Sequence, residues 1–127
     1  MKVKDLLEII KWEGFEEALF YGISECQELG KTFIGLTLSN GEGIIIKVDP
    51  YIDEITDILL YTEKKYSNEE LRPLGVFKQG EFGNTYFIYQ ILNLRNFINR
   101  YGNDIKIVYV EVIKGDLEDF LYTVMAR

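Results

Sequence analysis

Asn40-Gly41 stands between two β-rich runs, residues 32–38 and 43–48. Asn-Gly accepts positive φ at both central turn positions with little strain, so the pair predicts a tight antiparallel hairpin. A second hairpin is predicted from residues 74–78 and 85–90, around a loop at 79–84 that holds Gly80, Gly83 and Asn84. Residues 105–113 form the clearest strand, with Ile107, Tyr109, Glu111 and Ile113 on one face and Val108, Val110 and Val112 on the other. Antiparallel pairing is the frame to which any helix must be fitted.

The helical signals are shorter. Val3, Leu6, Leu7 and Ile10 make an amphipathic stripe, with Gly14 placed to end it. In residues 15–29, Phe15, Leu19, Ile23 and Cys26 suit a helix while Leu19, Tyr21 and Ile23 alternate as in a strand; the helix is favoured. Asp49-Pro50 has the form of an N-cap with proline at N1, and Ile52, Ile55, Ile58 and Leu59 supply a buried face. This predicts a helix running to Lys64-Lys65, with a strand over residues 58–62 as the rival. Ser67-Asn68-Glu69-Glu70 has the spacing of a capping box, giving a short helix stopped at Arg72-Pro73. Ile91, Leu94, Phe97, Ile98 and Tyr101 line another helix, ended by Gly102. Asp116 caps a final one, with the stripe Leu117, Phe120, Leu121, Val124 and Met125. The expectation is one α+β domain over residues 1–127: an antiparallel sheet built from hairpins, with helices packed on one face.

Composition narrows the chemistry. The chain has 127 residues, 47% hydrophobic and 28% charged, with net charge -7. That length buries about two-thirds of the unfolded surface, enough for one core and too little for two domains. Histidine is absent and Cys26 is the single cysteine. The first fact removes Ser-His-Asp and Cys-His catalysis and imidazole metal ligands; the second removes intrachain disulfides and thiolate zinc sites. A lone thiol fits a reducing compartment. Residues 1–14 include Lys2, Asp5, Glu8, Lys11 and Glu13, so they hold no signal-peptide hydrophobic region, and no apolar run approaches a membrane span. A cytoplasmic protein with no membrane partner is expected.

The remaining constellations are weak. Asp49, Asp53, Glu54 and Asp57 lack the alternating ligands and central glycine of a calcium loop and read as favourable charge at a helix start. Glu63-Lys64-Lys65 lacks a convergent acid for a nuclease, and the glycines at 75, 80 and 83 precede a strand where phosphate cradles need a helix. Cys26 has no cationic neighbour in sequence and reads as core. No cofactor, metal or catalytic set is expected, and the chain is read as a binder without enzymatic activity.

Charge and aromatics point to protein contacts. Residues 1–30 carry seven acids (Asp5, Glu8, Glu13, Glu16, Glu17, Glu25, Glu28) against three lysines, a surface that attracts basic partners and repels nucleic acid. Nine tyrosines and eight phenylalanines supply contact area with few rotors. The expected function is an acidic inhibitor or regulator, of the immunity-protein or phage anti-defence kind, that occludes a basic, nucleic-acid-binding face of a partner protein. Glu13, Glu16 and Glu17 would steer, and Phe82, Tyr86 and Tyr89 would anchor. Two alternatives are a binder of small nucleotide-like ligands using Arg72, Arg95 or Arg100, and an assembly subunit that self-associates through its sheet as a homo-oligomer.

Overall fold

A computed structural model describes residues 1–78, 81–113, 115–116 and 118–119. The elements run α1 (Val3–Ile9), α2 (Phe15–Leu29), β1 (Phe33–Leu38), β2 (Gly43–Asp49), β3 (Glu54–Thr62), β4 (Leu71–Lys78), β5 (Thr85–Ile91), α3 (Leu94–Tyr101) and β6 (Ile107–Ile113). The strands form one six-stranded sheet in the order β4-β5-β3-β2-β1-β6, and every pairing is antiparallel. The fold is α+β, as the hairpin signals imply. The final helix expected after Asp116 lies, apart from residues 116, 118 and 119, outside the described residues.

Three successive strands form a meander through the Asn40-Gly41 hairpin and the turn at residues 50–53. β5 then enters beside β3, and β4 lies outside it. α3 carries the chain back across the sheet, so that β6 closes the opposite edge against β1. All three helices pack on one sheet face: Leu6, Phe15, Leu19, Ile23, Phe97 and Ile98 share a core with Ile34, Leu36, Ile44, Ile46 and Leu60. The other face is apolar too, with Phe33, Ile45, Leu59 and Ile88 buried and Tyr61, Phe77 and Ile113 packed against them. On that face Tyr61 lies over Gly43 and stacks on Tyr86 at 4.9 Å between ring centroids. A Cβ on Gly43 would stand 2.4 Å from Tyr61 Cδ1, so the ring's position requires glycine there.

The helix expected from residue 50 is instead a turn followed by β3. Asp49 Oδ1 accepts from the Tyr51 amide at 3.2 Å, which closes an Asx-turn where an N-cap was expected. Lys47 pairs with Asp57 and Val48 with Ile55, leaving Thr56 as the extra residue of a β-bulge. The bulge returns Ile55 to the same face as Ile58, three residues on, which is the spacing of a helix. The rival strand reading of residues 58–62 is the one that holds. A second bulge pairs Thr37 with Tyr109 and Leu38 with Ile107, leaving Val108 over. Ile107 therefore joins the helix-side core with Val110 and Val112, not the face of Tyr109.

Two further boundaries move. α1 ends at Ile9, and Gly14, at φ 82°, starts α2 where it was expected to end α1. The chain between them leaves the helix to pair with the start of β6: the Glu13 amide donates to the Ile105 carbonyl, and the Ile107 amide donates to the Glu13 carbonyl. Trp12 is buried there and its indole N–H donates to the Gly102 carbonyl at 2.9 Å. The Ser67–Glu70 capping-box sequence forms no helix but turns into β4, and Pro73 lies in that edge strand, where a missing N–H costs no ladder bond.

Candidate functional site

The residues singled out from sequence do not converge. Glu16 and Glu17 are exposed in the first turn of α2, where the helix dipole favours acids. Glu13 is exposed and faces Lys106 at 3.2 Å, an open ion pair of little energetic weight. α2 packs over β1 and β6. Phe82 and Tyr86 belong to the β4–β5 hairpin, on the other side of the sheet order. Phe82 is 95% exposed, so it does not fold back onto the core. Tyr86 is half-buried in its stack with Tyr61, on the face away from the helices. Tyr89 is buried in the helix-side core and its hydroxyl accepts from the Tyr66 amide at 2.8 Å, so it presents nothing to a partner. Of the arginines, Arg72 and Arg95 are exposed, and Arg100 lines a cleft described below.

The acids expected at a helix start are dispersed by β3. Glu54 binds the N-terminal ammonium at 2.8 Å and Lys2 at 3.0 Å, which hold its carboxyl below the usual range. Asp57 accepts from Gln90 at 3.2 Å. Cys26 is fully buried on α2, and burial pushes its thiol up to about 11, against a smaller opposing effect of Lys31. A thiol held protonated in this way is a core group.

The most organised polar constellation surrounds Glu42, a residue that carried no motif. It follows the hairpin turn directly and is buried. Its amide donates to Asn40 Oδ1 at 3.0 Å, and Asn40 Nδ2 donates to Glu42 Oε1 at 3.2 Å. Tyr101, at the end of α3, donates to Oε1 at 2.5 Å. Tyr66 donates to both carboxylate oxygens, at 3.2 and 3.0 Å, and Thr62 donates to Oε2. Four separate stretches of chain thus meet on one carboxylate. None of the ion pairs among the described residues involves it. Neutral donors hold the charge in place of a cation, the arrangement that lets a buried carboxylate persist.

The same charge acts back on its donors. Burial, then the Glu42 charge and hydrogen bond, push the Tyr66 phenol up to about 12. Tyr101 is raised further by burial and by Glu42, with the Asn40 amide opposing. A cleft of about 260 Å³ opens beside this knot, lined by Asn40, Glu42, Lys64, Tyr66, Asn68, Phe97, Arg100 and Tyr101. Arg100 Nε lies 3.5 Å from Oε1 of Glu70, a second buried carboxylate. Sequence reasoning had no access to this site, because its members lie up to 61 residues apart and only folding assembles them. Comparison with protein-family models, with curated proteins and with solved structures found no match to this chain.

Proposed function

We propose that this chain is an acidic protein-binding inhibitor or regulator that occludes a basic, nucleic-acid-binding face of a partner protein, as an immunity protein or a phage anti-defence protein would. The outer face of α2 carries the reading. Phe20 and Tyr21 are 50% and 55% exposed there, beside Glu16, Glu17 and Glu28, on a helix without a single lysine or arginine. Two adjacent aromatics held half in water forgo burial that a partner would restore. Glu28 sits in the last turn, at the negative end of the helix dipole, at a cost of about 0.3–1 kcal/mol. Solubility alone calls for mixed charge and needs neither feature. A basic partner repays both: the acids speed encounter and the aromatic pair holds the complex.

The test is affinity capture from nuclease-treated source-cell lysate across a salt series, with wild type and two double variants, Glu16→Lys/Glu17→Lys and Phe20→Ala/Tyr21→Ala. Wild type should retain a basic protein that elutes as salt rises. Both variants should lose it while their melting temperatures hold, since all four side chains are exposed. Equal capture by wild type and both variants would remove α2 as the binding face.

A further inference from the structure

We propose that the cleft beside Glu42 binds a small zwitterion of amino-acid size, with its ammonium group at the closed end and its anionic group at the mouth. Most hydrogen-bond donors around the cleft are already committed. A hydroxyl has one proton to give, and those of Thr62, Tyr66 and Tyr101 all go to Glu42. The Asn40 amide is likewise engaged, with Glu42 and with the Tyr101 oxygen at 2.7 Å. What the inner wall still offers is acceptors. Asn68 lines the cleft, and its Oδ1 is buried without a hydrogen-bond partner among the described residues. Glu70, outside the cleft's lining, holds the cleft's Arg100 through Oε1, and its buried Oε2 has no hydrogen-bond partner among the described residues. A buried acceptor is costly to leave unpaired, so the Asn68 oxygen in the wall, beside the Glu42 carboxylate that lines the same cleft, favours a ligand rich in N–H donors.

The mouth has the opposite character. Lys64 and Arg100 are both exposed and line the same cleft. They supply donors and positive charge to an anionic group. Phe97 and Tyr101, stacked at 5.0 Å, form the apolar part of the wall. The volume, about 260 Å³, falls just below the roughly 300–1,000 Å³ of drug-sized pockets, which limits the ligand to a few heavy atoms beyond the zwitterion itself. A pure cation meets Lys64 and Arg100, and a pure anion meets Glu42 and the Asn68 oxygen. Only a molecule with both charges satisfies both ends. This site stands apart from the α2 face and does not depend on it.

The experiment is an NMR titration of the ¹⁵N-labelled full chain with each of the common L-α-amino acids, with putrescine and inorganic phosphate as single-charge probes. At least one amino acid should shift the amides of residues 40–43, 64–68 and 97–101, with a Kd between about 10 μM and 1 mM. Putrescine and phosphate should bind at least about tenfold more weakly, and Asn68→Leu and Lys64→Met should each weaken the amino acid by a similar factor. Lys64 is exposed, so its variant keeps the test open should Asn68→Leu fold poorly. Three results overturn the proposal. They are no shift at those amides with any amino acid, phosphate or putrescine binding as tightly as the best amino acid, and undiminished binding by Lys64→Met.

Discussion

Glu42 shows how one residue fastens distant parts of the chain. Its carboxylate accepts from Asn40, Thr62, Tyr66 and Tyr101, joining the first hairpin, the end of β3, the loop after it and the end of α3. Removing the acceptor leaves several donors without partners, and the cost of such groups exceeds what any single bond contributes. Glu42→Ala should therefore lower stability by about 2–4 kcal/mol, moderated by water entering from the cleft. Glu42→Gln keeps the shape and one acceptor oxygen and should lose about half as much. Urea denaturation of both variants checks this, and a loss under about 1 kcal/mol for Glu42→Ala would mean the knot adds little to the fold.

At the level of the element, bulges decide which side chains reach the core. The extra residue Thr56 changes the side on which Ile55 projects, so that Ile55 and Ile58 meet the same helices. Without it, everything N-terminal to the bulge in β3 inverts, sending Ile55 to the opposite face and Glu54 away from the N-terminal ammonium it binds. Deleting Thr56 should cost about 3 kcal/mol or more, near the cost of emptying a buried isoleucine site. Thr56→Val, which keeps the bulge and forgoes only the 3.2 Å bond from Oγ1 to the Lys47 carbonyl, should stay within about 1 kcal/mol of wild type. Equal stability of the two variants would show that register, and not residue type, is dispensable here. The edge strands are also managed at this level. Pro73 and the bulge at Leu74 interrupt β4, while Glu13 covers the start of β6.

On the scale of the whole molecule, burial of tyrosine ties stability to pH. Tyr61 and Tyr66 are pushed from the ordinary value of 10.0 up to about 12, both chiefly by burial, with Tyr86 the next cause for the first and Glu42 for the second. Tyr101 is displaced in the same direction. Below pH 10 these phenols are protonated in folded and unfolded chains alike, so their contribution is intact. As pH rises from about 10 to 12 the unfolded chain releases protons that the folded one retains, and stability falls. Denaturation midpoints should drop across that window, and tyrosinate absorbance should show these phenols ionising together with unfolding. Ionisation of all nine tyrosines near pH 10 with the fold intact would contradict this. Among the described residues, no helix is long and apolar enough to cross a membrane.

The chain's local chemistry determined its hairpins, α1 and α3, and favoured a helix over a strand for α2, because turn residues and apolar periodicity act within a few residues of themselves. It also determined the unbalanced acidity of residues 15–29, which is a matter of composition. Only tertiary structure decided the rest. Residues 54–62 carry apolar side chains at spacings that serve a helix or a bulged strand, and pairing with β2 on one side and β5 on the other settled which. Tyr89 and Phe82 look alike in sequence as aromatic anchors, yet the sheet's helical cover buries one and the hairpin tip exposes the other. Glu42 reads as one more acid after a turn, and its cage of hydroxyls exists only because α3 brings Tyr101 back across the sheet to meet it. Periodicity reports which residues seek burial, whereas the partners that satisfy a buried charge come from loop closure over long separations, which no local pattern encodes.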